Sequence, residues 1–149
     1  MQPLEMADIE RQVHRAMCRY ARALDHREWA LLDQVFCPDV HYAPVGVEPA
    51  FGRPAAIALI RSFLDGCGPT QHLLGNLEVE ADGDAPYSRC YVRAAHRGTG
   101  ERSNVEFVTH AEYLVRWQLQ PTGWRAREWV LRPLWHAGDI SILGRGLNT

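Results

Sequence analysis

The spacing of the apolar residues changes near Gly68, and this change limits the possible folds more than any other feature of the chain. Up to Gly68 most apolar side chains recur every three or four positions, whereas beyond it they alternate, as in a strand. A helical half followed by a run of strands predicts an α+β domain. We expect a cone-shaped, curved antiparallel sheet wrapped around three N-terminal helices, with a conical cavity between the helices and the sheet.

The helical half is predicted to contain three helices and one short strand. Asp8 is the expected N-cap of the first helix, and Pro54 suits the first turn of the third. Cys37-Pro-Asp39 should end the second helix, because a proline disfavours helical geometry in the residue before it. The short strand is expected at residues 40–43, followed by a turn-rich connection at residues 44–52. The helices are predicted at residues 8–24, 26–36 and 53–64.

The second half is predicted to form an antiparallel meander of four strands. Asp82-Gly83-Asp84 has the composition of a hairpin turn that tolerates positive φ, and it should join the first two strands. Glycine-containing turns at residues 97–100 and 121–123 separate the others. The strands are predicted at residues 70–81, 87–96, 105–119 and 124–135.

The first of these strands is predicted to carry a β-bulge. His72 and Leu74 are out of phase with Leu77 and Val79, so a regular strand would place the two pairs on opposite faces. A bulge at Gly75 would return all four side chains to one face, and glycine within a strand often marks such a bulge. We therefore expect His72 on the inner face of the sheet.

Strand parity predicts which side chains face the cavity. At residues 87–96, one face carries small apolar residues leading to His96, which fits an inner wall. The opposite face fits solvent or a subunit partner, and it consists of Tyr87, Arg89, Tyr91 and Arg93. The expected substrate-binding residues come from the second helix, which supplies two aromatic side chains, and from the inner faces of two strands. They are Trp29, Phe36, Val92, Ala94, Phe107, Thr109, Ala111 and Tyr113.

Composition excludes several classes of function. A chain of 149 residues is expected to form one domain, with a core at residues 8–136 and a tail at residues 137–149 that can cover the cavity. Its net charge of −2 offers no electrostatic basis for binding nucleic acid or an anionic membrane. All 16 basic residues are arginine, so Schiff-base chemistry, which needs a lysine amine, is excluded.

The cysteine and histidine spacings indicate neither a metal site nor a cofactor. Four cysteines occur without any C-x-x-C spacing, and the histidines show neither H-x-H nor H-E-x-x-H spacing. The only glycine-rich stretch, Gly98-Thr-Gly100, lacks the strand-to-helix setting of a nucleotide-binding loop. We expect no cofactor, no metal, reduced thiols and a cytoplasmic location.

The candidate catalytic residues are Asp25, at the end of the first helix, and His72, on the first meander strand. If the strands fold back over that helix, the two side chains can meet inside an apolar cavity and form a proton-transfer dyad. Tyr20 lies five residues before Asp25 and can act with it. The alternative is that Asp25 is only the N-cap of the next helix, since Asp25-His-Arg-Glu28 has the form of a capping box.

The order and spacing of several short motifs resemble the SnoaL-like branch of the nuclear-transport-factor-2-like superfamily of cystatin-like α+β barrels. The resemblance covers nearly the whole chain. This superfamily includes dehydratases, isomerases, cyclases, epoxide hydrolases, dehydrochlorinases and non-catalytic binding subunits, so the motifs are more specific for the fold than for an activity. The matching motifs are Tyr20-x4-Asp25 with Trp29 and Phe36, Phe51-Gly-Arg53, Thr70-Gln-His72, Gly83-Asp84-Ala85 and Gly123-Trp-Arg125.

Within the superfamily, the chain resembles the scytalone dehydratase and bile-acid 7α-dehydratase families, and this resemblance implies roles for five residues. Asp25 and His72 fall at the places of the catalytic pair, and Tyr20 matches the tyrosine of the bile-acid enzymes. His96 falls where scytalone dehydratases have a second pocket histidine, and Tyr42 resembles their second carbonyl-binding tyrosine. The resemblance also implies a homo-oligomer, a trimer or a dimer, that uses the outward arginine and tyrosine face.

Three departures from the scytalone dehydratase pattern imply a different substrate. The tyrosine next to the catalytic aspartate in that family is Leu24 here, and an inward serine and asparagine are replaced by Ala111 and Tyr113. The expected function is that of a cofactor-independent dehydratase acting on a hydrophobic polyketide-, steroid- or aromatic-derived hydroxy-carbonyl compound. The alternatives are an isomerase or cyclase with the same dyad, and a non-catalytic binding subunit resembling the small subunit of ring-hydroxylating oxygenases.

Overall fold

The computed structural model describes residues 2–81 and 85–144. Three helical segments occupy the N-terminal half, namely α1 (Pro3–Asp25), a 3₁₀ helix (Trp29–Gln34) and α2 (Arg53–Leu64). Short 3₁₀ turns also occur at Gly100–Arg102 and Ile140–Ile142. The strands are β1 (Phe36–Pro44), β2 (Ala50–Phe51), β3 (Thr70–Glu80), β4 (Tyr87–Arg97), β5 (Glu106–Gln120) and β6 (Gly123–Gly138).

The strands form one curved, unclosed sheet in the order β2-β1-β6-β5-β4-β3. The β3 to β6 meander is antiparallel as predicted, but β1 pairs with β6 in parallel, so the sheet is mixed. β4, β5 and β6 each follow the preceding strand after a short connection and therefore run in the opposite direction, whereas β1 comes from the helical layer and is free of that constraint. The architecture is the predicted α+β cone.

The first helix is longer than predicted. It begins at Pro3, with Gln2 as its N-cap, and the Glu5 carboxylate accepts a hydrogen bond from the Gln2 backbone N–H at 3.3 Å. Asp8 is therefore not a cap; its carboxylate pairs with Arg11 and Gln12 in the next turn of the same helix. The predicted apolar stripe faces the core, and its buried residues are Ile9, Val13, Ala16, Met17, Tyr20, Ala23 and Leu24.

The region after α1 differs most from the prediction, although α2 has the predicted bounds. The second helix is a 3₁₀ segment of six residues, and Phe36 already belongs to β1. Pro38 does not end a helix but lies inside β1, where a register shift between Phe36 and His41 accommodates its missing N–H. The predicted turn-rich connection contains the short strand β2, whose register with β1 places Phe51 opposite His41.

The predicted bulge in β3 is present. The pairing of β3 with β4 shifts between Gly75 and Glu78, and Asn76 adopts a left-handed conformation with φ 55°. The extra residue brings His72, Leu74, Leu77 and Val79 to the less exposed face of the strand. The predicted hairpin turn at residues 82–84 lies outside the described residues.

The buried core lies between α1, α2 and the inner face of the sheet. On β4, Cys90, Val92, Ala94 and His96 are buried, whereas Arg89, Tyr91 and Arg93 are exposed, as parity predicts. The oligomeric contacts expected for the outward face remain a prediction. Across the described parts of the chain, no helix has the length and apolarity needed to cross a bilayer.

A buried hydrogen bond between Trp117 and Ser88 links β5 to β4 and generates a stability prediction. The Trp117 indole N–H donates to the Ser88 hydroxyl at 2.8 Å, and both residues are 1% exposed. We expect Ser88→Ala to lower the free energy of unfolding by about 1–3 kcal/mol, because the indole N–H would remain buried without an acceptor. Urea denaturation measures this loss. Ser103→Ala, at an exposed position, is the matched control; equal stabilities for the two variants would contradict the prediction.

Candidate active site

Asp25 and His72 meet where the end of α1 reaches the start of β3. Asp25 Oδ1 lies 2.6 Å from His72 Nδ1, and Asp25 Oδ2 accepts the backbone N–H of His72 at 2.9 Å. The Thr70 hydroxyl donates to Asp25 Oδ1 at 3.1 Å. The capping alternative is therefore wrong, because Asp25 is the last residue of α1 and Glu28 is the N-cap of the following 3₁₀ helix.

These contacts determine the charge of Asp25 and the tautomer of His72. Burial raises the pKa of Asp25, but the hydrogen bonds from the His72 ring, the His72 backbone and Thr70 outweigh this effect and lower the pKa below its usual value. Asp25 is thus ionised at neutral pH and can only accept hydrogen bonds. His72 must therefore carry a proton on Nδ1, which leaves Nε2 of the neutral ring as an acceptor.

His72 lines a cavity of about 210 Å³ between the helices and the sheet. Its side chain is 5% exposed, and Asp25 lies behind it, outside the lining. The wall is mainly apolar, with its polar groups supplied by tyrosine, histidine and threonine. The predicted site residues that line it are Tyr20, Tyr42, His72, Val92, Ala94, His96, Phe107, Thr109 and Tyr113.

Three residues predicted to bind substrate lie away from the lining. Trp29 is half-buried outside the cavity, with the Arg61 guanidinium 5.5 Å from its ring centroid. Phe36 is fully buried and makes edge contacts with the rings of Tyr20 and Trp129, which are part of the core. Ala111 is buried on β5, beside the bulge that pairs it with Pro133.

Three tyrosines form a cluster on the cavity wall. The hydroxyls of Tyr20 and Tyr42 are 2.7 Å apart, and the rings of Tyr20 and Tyr113 pack edge to face with centroids 5.3 Å apart. Burial raises the pKa of Tyr20 and of Tyr113 well above the usual value, and it raises the pKa of Tyr42 to about 12. The hydrogen bond with Tyr20 opposes the pKa shift at Tyr42, and either of the two hydroxyls can be its donor.

His96 is buried and neutral. Its Nδ1 lies 3.0 Å from the Phe107 carbonyl oxygen, which can only accept, so Nδ1 carries the proton. Burial lowers the pKa of His96 to about 4, although the Phe107 carbonyl opposes this effect. The His96 ring is perpendicular to that of His72, with centroids 5.9 Å apart. His96 therefore presents an acceptor nitrogen close to the dyad.

Several lining residues were not predicted from the sequence. Residues 45–47 form part of the wall from the β1–β2 connection, which has no periodic pattern to reveal its inner face. His136 also lines the cavity, and it was missed because β6 continues beyond the predicted end at residue 135. Leu143 closes part of the wall after the last 3₁₀ turn. Residues 145–149 of the predicted covering tail lie outside the described residues, so that role remains a prediction.

Two polar residues behind the dyad were also missed. Arg27, which follows α1 in a left-handed conformation, donates hydrogen bonds to Thr70 Oγ1 and to the Gly68 carbonyl oxygen. Thr70 belongs to the Thr70-Gln-His72 motif, and this was the only sequence signal for it. Within residues 2–81 and 85–144, no three His, Cys, Asp or Glu side chains converge as metal ligands would.

Comparison with known proteins identifies the family. The SnoaL-like domain model matches residues 5–130. The uncharacterized protein Rv2910c of Mycobacterium tuberculosis is 31% identical over 117 residues, which are 76% of this chain and 78% of that protein.

Two solved structures share the fold at low sequence identity. A scytalone-dehydratase-like protein from Novosphingobium aromaticivorans has a TM-score of 0.80 at 22% identity, covering 93% of this chain and 92% of that one. Hexachlorocyclohexane dehydrochlorinase LinA-type3 from Novosphingobium barchaimii has a TM-score of 0.82 at 14% identity, covering 93% and 94%. From the domain match and the relative above 30% identity, we conclude that this chain belongs to the SnoaL-like domain family.

Proposed function

We propose that this protein is a cofactor-independent lyase of the dehydratase type, which removes water from a small hydroxy-carbonyl compound. The main support is the contact of 2.6 Å between Asp25 and His72 Nδ1, which leaves the other nitrogen of an imidazole that lines an apolar cavity free to act on a substrate. The names of the two structural relatives, a dehydratase and a dehydrochlorinase, both describe eliminations. They favour an elimination over the isomerase or cyclase alternative, which would use the same dyad.

In the proposed mechanism, His72 is the general base. Its Nε2 removes the proton next to the substrate carbonyl, and the ring becomes an imidazolium. The Asp25 carboxylate stabilises this positive charge through the hydrogen bond to Nδ1 and keeps the ring in one orientation. General acid–base assistance of this kind contributes typically ~10²–10⁴-fold to the rate.

Tyr42 is the proposed donor to the carbonyl oxygen. In the proposed arrangement Tyr20 donates its own proton to Tyr42, so the Tyr42 O–H remains available to the substrate, and the bond with Tyr20 opposes the rise that burial causes in the Tyr42 pKa. Negative charge that develops on the enolate oxygen is then stabilised in a site with little water. Tyr20 is in this mechanism a positioning residue rather than the direct donor.

His72 is also the proposed acid for the leaving hydroxyl. His96 is not suited to this step, because its only ring proton is donated to the Phe107 carbonyl oxygen and its pKa of about 4 keeps Nε2 unprotonated. Nε2 of His96 can instead accept a hydrogen bond from the substrate hydroxyl and orient it. Since a single imidazole removes one proton and returns it to the hydroxyl, both groups leave from the same face of the substrate.

The cavity favours an uncharged substrate of one or two rings. Among the described residues, the lining includes no arginine, aspartate or glutamate that could pair with an ionic group. A dry cavity of ~150 Å³ accommodates benzene, so a space of this kind suits a slightly larger aromatic or polyketide-derived molecule better than a steroid. The open cavity also argues against the binding-subunit alternative, because Trp117 and Trp129 pack in the core and do not fill it.

Removal of either member of the dyad should abolish most of the activity. We expect Asp25→Asn and His72→Gln each to lower kcat/KM for dehydration by roughly 10²–10⁴-fold. Small cyclic β-hydroxy ketones serve as substrates, and loss of water is followed by mass spectrometry. Asp39→Asn and His26→Gln, both at exposed positions, are the matched controls. Wild-type rates in both dyad variants would refute the proposed roles.

The two tyrosine hydroxyls should differ in their effects. We expect Tyr42→Phe to lower kcat by about 10²–10³-fold, as does the loss of an oxyanion donor. Tyr20→Phe should lower kcat by only about 10-fold, because Tyr42 keeps its own proton for the substrate. Steady-state kinetics on the same compounds measure both effects, with the exposed Tyr91→Phe as control. The reverse order would assign the direct donor role to Tyr20.

His96 should make the protein less stable in acid. Its pKa of about 4 in the folded state lies below the unfolded value of about 6.5, so the unfolded chain binds more protons between these pH values. Its contribution to stability is complete above pH ~6.5 and falls as the pH approaches ~4.

Over this interval we expect wild type to lose roughly 3 kcal/mol more unfolding free energy than His96→Gln, as measured by urea denaturation at several pH values. His26→Gln, which changes an exposed histidine, should follow the wild-type curve. Parallel curves for wild type and His96→Gln would contradict the assignment of a buried neutral ring.

A further inference from the structure

We infer that Thr70 and Arg27 are positioning residues that hold the Asp25 carboxylate in the orientation that fixes the His72 tautomer. Neither side chain lines the cavity, so neither is placed to touch a substrate. The catalytic consequence rests on the proposed function, whereas the positioning itself can be tested without a substrate.

Arg27 is bound on several sides at the junction of α1 and β3. Its Nη1 donates to the Leu24 carbonyl oxygen at 2.5 Å and to Thr70 Oγ1 at 2.8 Å. Its Nη2 donates to the Gly68 carbonyl oxygen at 2.8 Å and to Cys67 Sγ at 3.6 Å. All four hydrogens of the two terminal nitrogens thus have acceptors, and the planar guanidinium group is held in one position.

The arginine determines the direction of the Thr70 hydroxyl. A threonine hydroxyl has one donor hydrogen and can accept from other groups. Since Arg27 donates to Thr70 Oγ1, the hydroxyl hydrogen turns away from the guanidinium and towards Asp25 Oδ1, 3.1 Å distant. Thr70 therefore acts as a donor to the Asp25 carboxylate. Its hydroxyl oxygen does not compete with the carboxylate as an acceptor for the His72 Nδ1 proton.

The carboxylate is in turn held against rotation. Oδ1 accepts from Thr70 and from the His72 ring, while Oδ2 accepts from the His72 backbone N–H. Arg27 is connected to Asp25 through the Thr70 hydroxyl, which accepts from Arg27 Nη1 and donates to Asp25 Oδ1. A bidentate Arg–Asp pair would occupy both oxygens and weaken the bond to the histidine. The bond from Thr70 orients the Asp25 carboxylate and still allows both carboxylate oxygens to accept hydrogen bonds from His72.

A purely structural role for Arg27 can be separated from positioning by changing Thr70 alone. Thr70→Val keeps the shape of the side chain and leaves the Arg27 contacts with the Leu24 and Gly68 carbonyls in place, but removes the hydroxyl. Thr70→Ser restores the hydroxyl and is the rescue variant. Thr122→Val makes the same change at an exposed turn, and circular dichroism checks that each variant is folded.

The readout is NMR of the full-length protein, with the Asp25 carboxyl carbon followed as a function of pH and the His72 ring nitrogens used to assign the tautomer. We expect Thr70→Val to raise the midpoint of the Asp25 titration by about one pH unit, the size expected for loss of a hydrogen bond to a charged group. The same variant should also populate the Nε2-protonated tautomer of His72, whereas Thr70→Ser and Thr122→Val should behave like wild type.

Arg27→Met provides a second test, which also applies if Thr70→Val does not fold. Loss of the guanidinium frees the Thr70 hydroxyl to rotate, so the Asp25 midpoint should again rise, while Arg15→Met at an exposed position should have no effect. An unchanged midpoint and tautomer in the Thr70 or Arg27 variant would overturn the inference.

Turnover distinguishes this inference from the proposed function. With an active substrate, Thr70→Val should lower kcat by roughly 10-fold at unchanged KM, and Thr70→Ser should restore it, since only the orientation of the base has changed. If the NMR shifts occur while Asp25→Asn and His72→Gln keep wild-type turnover, the positioning role stands and the dehydratase proposal fails.

Discussion

The hydrogen bonds between Asp25 and His72 connect the helical layer to the sheet, and the arrangement of the site depends on them. A carboxylate half-buried at the end of a helix is costly unless it is hydrogen-bonded. Here the backbone and the ring of His72 both donate to it, at 2.9 and 2.6 Å. The backbone bond fixes the position of β3 beside α1, and the ring bond aims the imidazole at the cavity. Fold and proposed chemistry thus use the same carboxylate.

Burial keeps His96 and Tyr42 neutral on the cavity wall, and the negative charge of Asp25 lies behind that wall. Burial lowers the pKa of His96 and raises that of Tyr42, so neither ring is ionised near neutral pH. The ionised Asp25 is separated from the cavity by His72. In the proposed mechanism His72 is neutral before it takes the proton and forms an ion pair with Asp25 afterwards, and the partial burial of this pair strengthens it. This difference between the two states is what general base catalysis requires.

The sequence predicted the features that depend on periodicity and turn chemistry. It identified the bounds of α2, the four-stranded meander, the bulge that turns His72 inward and the inner face of β4. It failed where tertiary contacts override local preference. Residues 26–36 form a short 3₁₀ helix and the start of β1, because Phe36 pairs with Ala126 of β6. Asp8 has the composition of a cap, but α1 continues through it to Pro3. The parallel pairing of β1 with β6 has no sequence signal, since neither strand reveals its neighbour.

The sequence by itself determined the order of a helical half followed by a meander, the inward faces, and an acid at the end of α1 and a histidine on β3 as catalytic candidates, because apolar spacing and short motifs are local properties. Only the tertiary structure decided which nitrogen of His72 contacts Asp25, that the hydroxyls of Tyr20 and Tyr42 meet, and that Phe36 and Ala111 lie outside the cavity lining. It also brought Arg27 and Thr70 into contact over a separation of 43 residues. Hydrogen-bond partners and cavity lining depend on distances between elements that are far apart in the chain, and local patterns do not contain those distances.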